Sequence, residues 1–166
     1  LGHRDFSRFL QDCFRDLTEV AIKHRVEIYK YVGDEAILTW NLRDGLYEGN
    51  CLHVFFGFCK DLEKRRDYYI STYGYFPEFK AGLNLGLVTV AEVGVLKREI
   101  AYLSDVLNTA ARIQGQCNKI GRSLLLSESL HNYLVPSGLF SFRAEGEMLL
   151  RGKEEKVALF SVESSE

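Results

Sequence analysis

Apolar side chains at Phe6, Phe9, Leu10, Cys13, Phe14, Leu17, Val20 and Ala21 recur at three- and four-residue steps, the spacing that gathers them on one stripe of an α-helix. Asp5 stands where a side-chain cap would start that helix. After His24 the period changes. Residues 26–32 and 35–40 read as two strands joined by Gly33-Asp34, and glycine at the first of two loop positions suits a type II′ hairpin. That turn sets the register Val32 with Glu35, Tyr31 with Ala36 and Lys30 with Ile37. Apolar surface is then left on both faces of the hairpin. Helices would cover one face, and more of the chain or a second subunit the other.

A second helical pattern runs over residues 46–69, with Cys51, Leu52, Phe55, Phe56, Cys59 and Leu62 inward and a charged, solvated end. Residues 71–77 read as a connector. Strands are expected over residues 79–86 and 87–95, with a shorter one at 100–103, and Gly82, Gly86 and Gly94 mark bends or close backbone approach. Val106, Ala110, Ile113 and Cys117 then fall on one stripe of a helix over residues 104–116. The remainder alternates: a strand at 124–126, a helix at 128–134, and a terminal strand pair at 140–150 and 157–162. This order of elements specifies an α/β or α+β fold.

Composition narrows the function classes. The chain has 166 residues, 46% hydrophobic and 27% charged, which suits a single domain spanning residues 1–166. No apolar run approaches the roughly 20 residues of a membrane span, so no membrane contact is expected. A formal net charge of −2 supplies no bulk attraction to nucleic acid, and phosphate binding would need local cations. Cys13, Cys51, Cys59 and Cys117 lie on apolar helix phases without C-x-x-C spacing, which fits reduced thiols in a cytoplasmic setting. The four histidines are scattered singly, so zinc is set aside. The chain opens on Leu1-Gly2 without a signal-like stretch and reads as a piece of something longer.

Three places carry candidate chemistry. Asp34, on the hairpin turn, is placed to reach a divalent ion, although Gly-Asp is also ordinary turn chemistry. Asn108 and Arg112, four apart, share a helix face nearly opposite the core stripe. They either meet water or present an amide and a guanidinium to a phosphate. Lys30 falls in phase with Val26, Ile28 and Val32, where an apolar residue would be expected. It either snorkels past a sheet edge or donates to a ligand.

Tyr29-Lys30-Tyr31-Val32-Gly33-Asp34-Glu35-Ala36 resembles the hairpin of the class III nucleotidyl cyclases. Lys80-Ala81-Gly82-Leu83-Asn84-Leu85-Gly86 resembles that family's R-x-G-I-x-x-G strand. The longest match, Asp105-Val106-Leu107-Asn108-Thr109-Ala110-Ala111-Arg112-Ile113-Gln114, is similar to its G-D-x-V-N-x-A-A-R-L signature, with Ser104 in place of glycine. Two looser matches follow: Leu124-Leu125-Leu126-Ser127-Glu128, and Leu150-Arg151-Gly152-Lys153 beside the family's L-K-G-K turn.

The resemblance implies a ferredoxin-like α/β domain with a central, mainly antiparallel sheet flanked by helices, working as a head-to-tail homodimer with shared sites. It implies that Asp34 is one of two metal-binding aspartates and that Lys30 reads the purine. It assigns Asn108 and Arg112 to ribose orientation and transition-state stabilisation, and Lys153 to the triphosphate. The implied reaction turns ATP, or less favourably GTP, into the cyclic 3′,5′-nucleotide and pyrophosphate with two Mg2+ or Mn2+ ions. Two departures stand out. The family's first metal aspartate lies on a strand before the first helix, which this chain does not contain, so the polypeptide by itself is expected to have little or no activity. Ala101 stands where adenine-selective members carry Asp or Thr, and an alanine cannot hydrogen-bond a purine edge. Two other readings remain: a diguanylate cyclase, which Val32-Gly33-Asp34-Glu35-Ala36 resembles superficially, and a non-catalytic cyclase-homology module for dimerisation or nucleotide sensing.

Overall fold

The computed structural model describes residues 2–93, 99–103, 105–150 and 155–163. The chain divides into two compact units, Leu1–Phe79 and Lys80–Glu166. In the first, helix α1 (His3–Lys23) packs with α3 (Asn50–Lys64) and α4 (Arg66–Tyr73) and with the hairpin of β1 (Glu27–Val32) and β2 (Glu35–Thr39). Its core joins Phe9, Cys13, Leu17 and Val20 to Val54, Phe58, Leu62 and Tyr69. Each such aliphatic or aromatic burial contributes roughly 1.5–3 kcal/mol.

The stripe expected on α1 is narrower than its apolar residues. Phe6 is 43% exposed, while Asp12 and Asp16 are buried on the inward face. Asp5 is not the cap, which is Gly2 without a side-chain bond; Asp5 lies in the first turn. The inward carboxylates meet α4: Asp12 Oδ2 accepts from the hydroxyls of Tyr68 and Tyr73, both at 2.6 Å. Asp16 accepts from Tyr69 at 2.7 Å and from Arg65. A buried carboxylate is tolerable only with such donors.

The hairpin forms with the register read from its turn. Gly33 has φ +60° and Asp34 does not have a positive φ, which makes the loop type II′. A bulge at Tyr29 corrects one expectation. Ile28 pairs with Leu38 and Lys30 with Ile37, so Ile28 and Lys30 point to opposite faces, because neighbouring residues of β2 do. Ala36 and Leu38 pack on the helical core, and Tyr31 stacks on Phe14 of α1 at 4.4 Å. Lys30, Val32, Glu35 and Ile37 share the other face.

The single helix expected over residues 46–69 is three segments. A short helix α2 (Leu42–Leu46), capped by Asn41, leads into a 3-10 turn where Glu48 and Gly49 take positive φ. The chain is re-aimed there, and α3 starts only at Asn50. At Arg65 the helix breaks again, and α4 continues through Tyr73, so residues 71–73 are helical rather than connector. The shifted start also turns the buried stripe. Val54 and Phe58 are buried, whereas Phe56 and Cys59 are half-buried.

In the second unit, β6 (Leu124–Ser127) runs parallel to β3 (Ala81–Leu83) and antiparallel to β8 (Lys156–Glu163), which pairs with β7 (Ser141–Leu149). The strand order is β3-β6-β8-β7. The strands expected over 79–86 and 87–95 contract to β3 and β4 (Thr89–Val93), and β4 pairs antiparallel with β5 (Glu99–Leu103). Four of the five pairings among the described residues are antiparallel. The structure is thus the mixed α/β fold expected. Leu124, Leu125 and Leu126 are all buried, as suits a strand with both faces covered. Helices α5 (Asp105–Gly115), α6 (Cys117–Ile120) and α7 (Glu128–Leu134) complete the unit, with Ile113, Cys117, Leu125, Met148 and Leu159 as its core.

Candidate functional site

Lys30 and Asp34 lie in the first unit. Both are exposed. The tight turn holds the Asp34 carboxylate beyond the strand ends, and the hairpin register puts Lys30 on the face turned away from α1. The Lys30 ammonium lies 5.8 Å from the centroid of the Tyr29 ring, so the bulged residue that redirects Ile28 also flanks the lysine.

Helix α5 lies in the second unit. Asn108 is exposed and Arg112 half-buried, while Ile113 and Cys117 face the core. The outward placement of Asn108 is the one the helical period implied. Arg112 differs: its Nη2 donates to the carbonyl of Leu149, at the end of β7, at 3.0 Å. A guanidinium carries five N–H donors in a planar fork, so this bond orients the group without by itself exhausting it. Beyond Leu149, the Leu150 N–H donates to the Glu155 carbonyl at 3.1 Å. Lys153 and Ser104 lie outside the described residues. Ala101 is placed by its backbone alone, in register with Ala91 across the β4/β5 hairpin.

Two glycines determine how closely α5 approaches the sheet. A Cβ on Gly82 would fall 2.3 Å from the Gln114 amide nitrogen and 2.4 Å from the Ala110 carbonyl oxygen. One on Gly86 would meet Val106 Cγ2 at 2.7 Å. Backbone therefore packs directly on backbone at β3, the close approach the glycines suggested. Between them, Asn84 Nδ2 donates to the Val106 carbonyl in the first turn of α5 at 3.2 Å. The reading from sequence passed over Asn84, although a lone amide between Leu83 and Leu85 was its visible signal.

Asp34 offers a hard oxygen donor suited to magnesium or manganese, which take one or two carboxylates and fill the shell with water and substrate phosphates. Among the described residues no group of three or more His, Cys, Asp or Glu is gathered to hold a metal. A single carboxylate such as Asp34 can supply only one part of such a shell. No helix of the described residues is long and apolar enough to cross a membrane.

Comparisons with known proteins bear on the family and the fold. The family model described as the adenylate and guanylate cyclase catalytic domain matches residues 4–164. Adenylate cyclase 2 of Rhizobium meliloti (strain 1021) is 29% identical over 161 residues, 97% of this chain and 44% of that protein. The chain thus spans less than half the length of that relative. The crystal structure of the adenylyl cyclase CyaB from P. aeruginosa superposes with a TM-score of 0.83 at 18% identity, covering 100% of this chain and 86% of that one. The guanylate cyclase domain of RhGC from Catenaria anguillulae, in complex with GTP, gives 0.77 at 17%, covering 100% and 87%.

Proposed function

Since the chain belongs to the family of adenylate and guanylate cyclase catalytic domains, we propose that residues 1–166 act as one nucleotidyl cyclase domain that cyclises ATP in preference to GTP. The reaction joins the ribose 3′-oxygen to the α-phosphorus, breaks the bond from that phosphorus to the bridging oxygen, and releases pyrophosphate and the 3′-hydroxyl proton. The observation that carries this reading is the state of α5, with Asn108 exposed and Arg112 tied to the strand end that leads to Lys153.

Each residue has a role in keeping with its chemistry. Lys30 donates to the purine edge and favours adenine. Asn108 hydrogen-bonds the ribose and orients its 3′-oxygen. Arg112 meets the charge that grows on the α-phosphate oxygens, an effect worth about 100-fold or more in rate for a positioned donor. Lys153 contacts the triphosphate. Asp34 binds Mg2+ or Mn2+, which when bound lowers the pKa of the attacking hydroxyl and neutralises phosphate charge. Ala101 has no polar atom for the purine, so selectivity rests on Lys30. The outer hairpin face with Lys30, Val32 and Ile37 is the surface offered to the second copy in a head-to-tail homodimer, and the reaction belongs to the cytoplasm, where thiols such as Cys13 and Cys51 stay reduced.

In this proposal Asp34 is the metal-binding aspartate of the chain. The test is to assay the chain both alone and with any residues its gene encodes before Leu1, in Mn2+ with ATP or GTP. We expect cyclic product from the longer polypeptide and a drop of about 100-fold in Arg112→Ala. Absence of product, with nucleotide binding unchanged in Asp34→Ala, would sink the catalytic reading. It would favour the second one, which Ala101 suggests: a non-catalytic homology module.

A further inference from the structure

We propose that Asn84 is a positioning residue for the α5 pair Asn108 and Arg112, and that its amide, linking the Val106 carbonyl to Ser129, fixes the first turn of α5 over β3. The inference rests on the cyclase reading for its kinetic consequence, but not for its structural one.

Contact through bare glycine is close but not directional. At Gly82 the sheet touches Ala110 and Gln114, towards the C-terminal part of α5, and at Gly86 the chain approaches the Val106 side chain, but neither contact is directional. The Asn84 bond to Val106 supplies the directional point. Val106 lies two residues, about 3 Å of helix axis, from Asn108, and six residues, about 9 Å, from Arg112. A pivot about Gly82 therefore displaces Asn108 first.

The orientation of the amide is chemically determined. A carbonyl only accepts, so Nδ2 faces Val106 and Oδ1 faces Ser129, whose hydroxyl donates at 3.3 Å. The single Ser129 proton is shared with the Leu85 carbonyl, which accepts from the same hydroxyl at 3.1 Å, and Ser129 Oγ lies 2.9 Å from Ser127 Oγ. Ser127 is 1% exposed and caps α7 by accepting from the Leu130 amide. The clamp is thus anchored at one end in the buried junction of β6 and α7 and at the other in the helix that carries the two proposed site residues. An isosteric aspartate at 84 keeps the shape but sets a carboxylate oxygen against the Val106 carbonyl, which repels the helix turn rather than holding it.

The experiment compares wild type with Asn84→Asp and Ser129→Ala in the longest polypeptide that turns over, reading kcat and KM together with amide exchange along α5. In Asn84→Asp kcat should fall about 10- to 100-fold, the scale of a misplacement of about 1 Å, with KM within about 3-fold. Exchange protection should drop at Ala110, whose helical partner is the Val106 carbonyl, while β6 and β8 keep theirs. Ser129→Ala should do the same at smaller amplitude, and it carries the comparison if Asn84→Asp does not fold. Unchanged kcat, or a loss of protection spread evenly over the second unit, overturns the proposal. If no polypeptide from the gene makes cyclic nucleotide, the cyclase reading fails separately. The exchange data then decide the clamp: local loss at the first turn of α5 supports it, and unchanged protection overturns it.

Discussion

Tyr69 donates its hydroxyl to Asp16 at 2.7 Å with both side chains buried, joining α1 to α4 through a charge-assisted hydrogen bond inside the core of the first unit. Arg65 completes the carboxylate's partners. Removing the two ends of this bond should have unequal effects. Tyr69→Phe deletes one donor and leaves Asp16 with Arg65, a loss of about 1.5–3 kcal/mol. Asp16→Ala strands the buried tyrosine hydroxyl and removes the carboxylate partner of Arg65, whose side chain is 35% exposed and can turn to water, so its loss should be the larger of the two. Urea unfolding of the two variants gives the order, and equal destabilisation would contradict it.

Asp12 should shape the acid limb of stability. Burial opposes its ionisation, but the hydroxyls of Tyr68 and Tyr73, with Arg15 and Arg65, outweigh burial and hold its carboxyl below the usual carboxylate range. A depressed folded pKa means that its stabilisation is full above the unfolded value of about 3.9 and is lost as the pH falls through the lower folded one. Stability measured from pH 6 downwards should fall less steeply below about pH 4 in Asp12→Asn than in wild type. Parallel acid limbs would mean that other carboxylates dominate.

The buried thiols should be inert while the chain is folded. Burial pushes Cys13 and Cys51 up to about 12 and raises Cys117 as well, and the thiolate is the reactive form. With iodoacetamide at pH 8, mass mapping should find these three unmodified in native protein and alkylated in guanidinium. Fast native labelling at Cys13 would show that α1 opens readily.

Gly82→Ala should disturb α5 more than its one methyl suggests. The added Cβ meets backbone atoms, not a flexible side-chain end, so the helix must move. Overpacking of this kind costs about 1–3 kcal/mol. Thermal unfolding should show the loss, and the alanine variant should also displace the amide resonances of Ala110 and Gln114. A spectrum changed only at Leu83 would mean the sheet, not the helix, gives way.

Much of the local structure was legible because it depends on neighbours in the chain. The Gly33-Asp34 loop fixed both its turn type and the three residue pairs nearest it. The period of α5 put Ile113 and Cys117 inward and Asn108 outward, and the helix expected at 128–134 formed as α7 over those residues. What was misread depended on partners far away. Lys30 looked in phase with Ile28 because strands alternate, and a single bulged residue, Tyr29, cancels that alternation. The pattern over residues 46–69 looked continuous because apolar spacing survives a break, whereas Glu48 and Arg65 bend the chain there.

The sequence alone determined which side chains share a helix face or a turn, hence the candidate pair Asn108 and Arg112 and the carboxylate at Asp34, because spacing of four residues or fewer fixes neighbours through backbone geometry. Only the tertiary structure decided that Asp12 and Asp16 turn inward, that Arg112 rests on the Leu149 carbonyl, and that Asn84 reaches Val106. Each of these joins residues more than 20 positions apart. A polar side chain has no local signature of burial: it goes inside only where distant donors or acceptors offset its lost hydration.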